Sequence, residues 1–398
     1  MNRNMDRREF LALIGVAGAG LLSSCAAGSR MSAEPVVPRR VFGRTGVRIS
    51  RLCLGGGSFM AGDGQALLDE ALKHGVDCWE IVSFTGPAYA DYFKAHPEVR
   101  ERVFLSGKVR STDPAVMQEQ LDKSLRDNGT EYVDFLAVHV IDDVKVLNDD
   151  VRRWAEKAKR EKKIRLFGFC THKNMADCLD GACELGWIDG VQTVYSYRMR
   201  SIKSMEDAMQ RCRENGVGLF AIKTMGLCVQ RKAELDKLPL NEERLSTRLA
   251  PHAVSFEQAK LKAIWQNPNL TSVCSLMPTA AILRANALAA MDERPLNSQV
   301  RRLLADYAEG TGRYFCRRCG TCDTANADKI PIFDIMEILM YSRAYGWRDS
   351  MVEKFATIPV EMREKINTSD YTAAEDRCPQ KMPIALLMRE AYAELSSR

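Results

Sequence analysis

The sequence has little net charge: 57 Lys and Arg stand against 52 Asp and Glu, a formal excess of +5 over 398 residues. The first 24 residues hold Arg3, Arg7 and Arg8 against Asp6 and Glu9, and the remaining excess is dispersed along the chain. So small and scattered a surplus argues against a nucleic-acid partner. Long hydrophobic runs are scarce too, and the stretch from Leu11 to Leu22 is too short to span a bilayer comfortably. No G-x-G-x-x-G follows the first candidate strand. Gly55-Gly56-Gly57 is only a glycine run at a strand end, which counts against a doubly wound dinucleotide-binding sheet. Apolar residues are plentiful at 46%, with 27% charged, so disorder and fibre are excluded. The length suits one large α/β domain plus an appendage.

The N-terminus opens with a charged segment ending in Arg7-Arg8, then the apolar run, then small residues, as in a secretory signal. Arg7-Arg8 followed by Phe10-Leu11 resembles the twin-arginine export signal, whose pathway carries folded proteins. Leu22-Ser23-Ser24-Cys25 resembles a lipoprotein box, which implies lipidation at Cys25. Ala26 after the cysteine favours outer-membrane sorting in a Gram-negative cell. The expected product is a periplasmic, membrane-anchored lipoprotein. A signal cleaved without lipidation and an ordinary buried helix are the alternatives. Residues 26–38, small, polar and Pro-containing, read as a flexible tether.

From Arg39 on, strand-like apolar runs alternate with amphipathic stretches of helical length. A hairpin, RRVFGRTGVRIS, comes first. Candidate strands follow at 51–56, 78–82, 103–109, 133–140, 164–170, 190–195, 217–223 and 271–276. Helical patterns lie at 115–127, 148–161, 174–185, 204–215, 255–266 and 279–289. Eight strand–helix units in about 250 residues match a (β/α)8 TIM barrel, and the alternating order excludes a sandwich or a bundle. The charged segment 229–253 reads as a surface loop after the seventh strand.

FGRTGVRISRLCLGGG resembles the opening of aldo-keto reductases, and the similarity continues through VFLSGKV, VDFLAVHV, GFCTHKN, GVQTVYSYR and GVGLFAIKTMG. It implies a barrel over residues 39–295 that interconverts a carbonyl and an alcohol. The family places Asp, Tyr, Lys and His at the strand C-termini, where barrel enzymes keep their chemistry. Lys108 matches the lysine, His139 the histidine, and Glu80 falls at the aspartate position. Thr85 stands where the family has its proton-donating tyrosine, and a threonine hydroxyl is far too weak an acid for that task. Tyr89, Tyr92 and His139 are the alternative acids. Read without the resemblance, Lys108 and Glu80 would form a partly buried ion pair, either tuning a nearby acid or purely structural. His172 follows the fifth strand at the same face and could line the pocket, whereas His74, His96 and His252 read as solvated. The resemblance also implies NAD(P)H, with Gln192 at the nicotinamide carboxamide and Asn286 near the adenine. Pro278 and Ile282 occupy places usually held by basic residues, and Arg284 has no assigned direction, so selectivity for NADPH is not supported.

The tail, CRRCGTC followed by DRCPQKMPI, resembles the ferredoxin-like domain of one branch of that family, here placed at 314–398 after a connecting helix at 296–313. Bacterial ferredoxins use C-x2-C-x2-C-x3-C-P twice, the fourth cysteine of each run ligating the other cluster. Here the first run lacks its fourth cysteine and the second keeps only its fourth. Crossed ligation then assigns Cys316, Cys319, Cys322 and Cys378 to one [4Fe–4S] cluster, with the second deleted. A four-cysteine zinc site is the rival, and disulfides are the remaining alternative. The other cysteines of the barrel read as small core residues. A cluster moves single electrons, so an electron-transfer partner is expected. The competing function is a non-catalytic barrel descendant, a lipoprotein that binds a ligand or partner and carries a structural or electron-transfer cluster.

Overall fold

The computed structural model describes residues 35–56, 64–82 and 87–396. The expected export signal, the lipidated Cys25 and Thr85 lie outside the described residues. Ten strands are formed: β1 Arg39–Val41, β2 Arg48–Ser50, β3 Leu52–Leu54, β4 Cys78–Glu80, β5 Phe104–Val109, β6 Val133–His139, β7 Ile164–Thr171, β8 Gly190–Val194, β9 Gly218–Ile222 and β10 Ser272–Ser275. β1 and β2 make an antiparallel hairpin, and the other eight close into a parallel barrel in chain order, β10 pairing with both β9 and β3. This is the expected (β/α)8 barrel. Its strands read as continuous apolar runs because the interior packing covers one face and the helices cover the other. In β6, for example, every residue but His139 is buried.

The hairpin closes the bottom of the barrel with one ring. Phe42 is fully buried and lies 4.9 to 5.9 Å, centroid to centroid, from Phe220, Phe135 and Phe104. Gly190 and Gly218 are required beneath it: a Cβ on either would stand 2.1 or 2.4 Å from the Phe42 ring. One strand away, a Cβ on Gly168 would lie 1.8 Å from the Gly190 carbonyl oxygen.

The helices begin where capping residues allow. Asp113 and Asn148 accept from the first-turn amides of Pro114–Asp127 and Asp149–Arg160, and Ser255 forms a capping box with Gln258. Two helices escape the sequence reading, Gly64–Lys73 and Ala88–Ala95, both flanked by glycine-rich or irregular chain. Segment 229–253 corrects the expectation of a loop. It carries Lys232–Leu235 and Glu242–Leu249, because Leu245 and Leu249, one helical turn apart, bury against Tyr197, Phe256 and Tyr307. The connecting helix is Ser298–Gly310. The tail that follows is helical, with its own core of Ile335, Leu339, Phe355, Leu387 and Met388. The described barrel cysteines are buried except half-buried Cys183, as expected of small core residues.

Candidate active site and cysteine cluster

Strand register builds the site. Glu80 ends β4 opposite Ser106, Lys108 lies opposite Ala137, and His139 ends β6 opposite Cys170, which in turn faces Gln192. These positions share the C-terminal mouth of the barrel. Lys108 Nζ sits 2.7 Å from Glu80 Oε1, a buried ion pair. The Gly56 amide donates to Glu80 Oε2 at 3.2 Å and the Cys274 thiol approaches at 3.5 Å. Burial alone would raise the Glu80 pKa, but the Lys108 charge and hydrogen bond together with the Gly56 and Cys274 contacts outweigh it and hold the carboxyl below its ordinary value. Lys108 is likewise opposed by burial and held above its ordinary value by Glu80. Both members therefore stay charged at neutral pH. His139 is pushed down to about 2, by burial first and then by the Lys108 charge, so its imidazole is neutral.

Gln192 donates from Nε2 to Ser106 Oγ at 3.0 Å across the lumen, and its buried Oε1 has no partner among the described residues. Asn286 is not brought to this group. It lies on the helix Ala280–Met291 and donates to Ser275 Oγ at 3.3 Å. Arg284 turns to Glu70 at 2.7 Å. Neither tyrosine considered as a replacement acid is free to serve. The Tyr89 hydroxyl donates to the Glu80 carbonyl at 3.2 Å beneath stacked Trp79, and Tyr92 donates to Asp69 at 2.6 Å. Of the remaining histidines, His74 is tied to Glu70 at 2.9 Å.

His172 is in the site, its ring 5.0 Å from that of His139 and edge-on to it. Its Nδ1 lies 3.5 Å from Glu337 Oε1, a carboxylate brought from the tail helix Ile332–Ala344. Glu337 also takes Arg318 at 2.5 Å, with Lys223 at 3.9 Å and Lys354 at 3.8 Å. Burial opposes ionisation of Glu337, but His172, Arg318 and Lys223 together hold its pKa well below the carboxylate range. Lys223, at the end of the seventh barrel strand, is pushed down to about 7 by burial and by Arg318. Lys223, Arg318 and Glu337 line a cavity of about 460 Å³ that also touches Cys316, Phe315 and Tyr345. Sequence reasoning missed Cys170, Lys223, Arg318 and Glu337. Only Lys223 carried a signal, its place just past a barrel strand.

The four tail cysteines converge. Cys316, Cys319 and Cys322 wrap into the short helix Thr321–Thr324, and Cys378 caps the end of Thr372–Arg377. All four line one cavity of about 390 Å³ walled by Phe333, Met336, Met382 and Ile384. Arg318 and Gly320 adopt positive φ of 62° and 74°, which curls the cysteine loop tightly. A Cβ on Gly320 would stand 2.7 Å from Lys173 Cε, so the loop lies directly on the segment after β7. Lys173 also pairs with Asp323 at 2.6 Å. Burial pushes Cys316 up to about 11 against the opposing Arg318 charge, and burial first, then the Asp323 charge and the neighbouring thiols, push Cys322 up to about 12. Buried thiols crowded in this way suit a cationic iron centre, which would take them as thiolates. His139, Cys170 and His172 offer ligand atoms that all lie within 4.8 Å of one another.

Residues 51–290 match the profile of the aldo/keto reductase family. The fold is similar to that of the aldo-keto reductase AKR11C1 from Bacillus halodurans in its holo form, with a TM-score of 0.54 and 18% identity over 68% of this chain and 96% of that one. Compared by sequence with curated proteins, the chain finds no match.

Proposed function

The chain belongs to the aldo/keto reductase family, and from that membership we propose an oxidoreductase that interconverts a small-molecule carbonyl and an alcohol at the barrel mouth. The observation that carries this reading is the buried Lys108–Glu80 pair beside a neutral His139. A substrate oxygen placed there would accept from the Lys108 ammonium and a His139 N–H. Glu80 keeps that ammonium charged inside the barrel, and fixed charge of this kind stabilises a developing alkoxide. An alkoxide is a stronger base than the Lys108 amine, so Lys108 can complete the proton transfer in place of the missing tyrosine. The residues fit the reactive end of a nicotinamide, since the unpartnered Gln192 Oε1 would accept from its carboxamide. When bound, such a cofactor supplies the hydride.

The second part of the proposal is one [4Fe–4S] cluster on Cys316, Cys319, Cys322 and Cys378, which supplies one-electron storage. Export through the twin-arginine route would suit it, because iron and sulfide are inserted into a folded chain. Anchoring at Cys25 would leave the protein on the periplasmic side of a membrane, where a separate electron-transfer partner could reach it. A non-catalytic, ligand-binding barrel is the second reading, favoured by Thr85 and by the Glu337 carboxylate reaching into the mouth.

The test is anaerobic purification of the full chain, with iron, sulfide and released small molecules quantified. About four irons per chain are expected, and Cys378→Ser should lose the cluster absorbance as completely as Cys319→Ser. A full cluster in Cys378→Ser sinks the crossed ligation. Failure of the purified chain to reduce any of a panel of aldehydes and ketones with either nicotinamide would favour the binding reading.

A further inference from the structure

We infer that His139, Cys170 and His172 form a site for one divalent transition-metal ion of the zinc class, separate from the four tail cysteines. Their ligand atoms lie within 4.8 Å of one another. A tetrahedral ion held at 2.0–2.1 Å from two nitrogens and 2.3 Å from one sulfur needs separations of about 3.3 to 3.6 Å. The closure required is at most about 1.5 Å, within the reach of side-chain rotation.

The donors are placed by the barrel itself. His139 and Cys170 are register partners on β6 and β7, and His172 stands two residues beyond Cys170, on the same side of the strand. Two further observations favour a cation over a chance approach. His139 Nδ1 is buried and has no hydrogen-bond partner among the described residues. His172 Nδ1 faces the Glu337 carboxylate at 3.5 Å, the outer arrangement that orients metal-binding imidazoles and leaves Nε2 for the ion.

The fixed charges leave a small positive excess for the site's own thiolate to offset. Lys108 is matched by Glu80, but Arg318 and Lys223 share the single Glu337 carboxylate. The Cys170 thiolate, formed as the ion displaces its proton, would add the negative charge the ion needs. Two imidazoles and one thiolate select zinc and its neighbours over magnesium or calcium. Three protein ligands leave a fourth position for water or a substrate oxygen. Any part in catalysis would rest on the carbonyl reading above, but the existence of the site does not.

The experiment uses the full chain, purified anaerobically with its iron, stripped with a mild chelator and titrated with Zn2+ alone. One equivalent beyond the iron is expected. Its X-ray absorption edge should give nitrogen neighbours at about 2.0–2.1 Å and one sulfur at about 2.3 Å. Cys170→Ala and His172→Gln should each weaken uptake at least 100-fold with iron content unchanged. Glu337→Gln should weaken it about 10- to 100-fold, as expected for an outer partner. If Cys170→Ala does not fold, His172→Gln carries the same readout. No zinc beyond the iron, an all-sulfur shell, or unchanged uptake in these variants would overturn the assignment. Reductase activity enters none of these readouts, so the carbonyl reading and the metal site can fail independently.

Discussion

Replacing Lys108 with methionine would leave the Glu80 carboxylate buried and alone. Glu80 is only 6% exposed and sits against Cys274, with the Gly56 amide as its one remaining strong donor among the described residues. Removing one partner of a buried ion pair typically costs about 3–5 kcal/mol, because the other charge stays desolvated. The Gly56 bond places the expected loss near the lower end, about 3 kcal/mol. The sign with pH can be worked out. In the native pair Glu80 is depressed, so the stability it contributes is present above the ordinary carboxylate value and is lost as pH falls through the depressed one. In Lys108→Met the burial that raises its pKa is opposed only by the weaker Gly56 and Cys274 contacts, and the variant is relatively most stable where Glu80 can protonate. Each unit by which the two folded values differ is worth about 1.4 kcal/mol. Urea denaturation followed by circular dichroism at pH 7.5 and pH 5 should therefore show a gap from wild type that narrows on acidification. The double variant Lys108→Met/Glu80→Gln should recover most of the loss. A gap under about 1 kcal/mol, a gap independent of pH, or a double variant no better than the single would refute the reasoning.

Thr85→Tyr should raise carbonyl reductase activity by about 10²-fold or more, the usual worth of a positioned proton donor. Steady-state kinetics with an aldehyde panel would check it, and no change would mean that the mouth no longer binds such substrates. Gly168→Ala would drive a Cβ to 1.8 Å from a backbone oxygen that cannot move without opening the barrel. It should cost about 3 kcal/mol or leave the protein insoluble. Gly46→Ala, with φ of 73° but open space around it, should cost only about 1–2 kcal/mol. Equal losses for the two in urea midpoints would show that the strand approach is not what selects Gly168.

The barrel was legible because its strands are buried on both faces and so stand out as short apolar runs. Hydrophobic periodicity also found the six longer barrel helices, whereas Gly64–Lys73 and Ala88–Ala95 sit in glycine-rich or irregular surroundings that mask it. Lys108, Glu80 and His139 could be placed because each follows a recognisable strand end. Asn286, expected near the adenine end of a cofactor rather than beside Gln192, donates to Ser275 from the helix that follows β10. Cys170 looked like any core cysteine within LFGFC, since its meeting with His139 depends on strand register. Glu337 carried no local mark at all. It reaches Arg318, His172 and Lys223 only once the tail has docked on the barrel, a tertiary event invisible to spacing.

The tail cysteines come from two stretches separated by about 56 residues of chain, Cys322 and Cys378 being the inner ends. A shared iron centre would tie off that intervening loop, and closing a loop of this length in the unfolded chain is worth about 4 kcal/mol. The tied loop contains the helix Ile332–Ala344, and with it Glu337, the one carboxylate shared by the mouth cations. Iron supply would thus govern whether the barrel receives its lid. A chain that had missed its metal would expose Ile335, Leu339 and Phe355 to solvent.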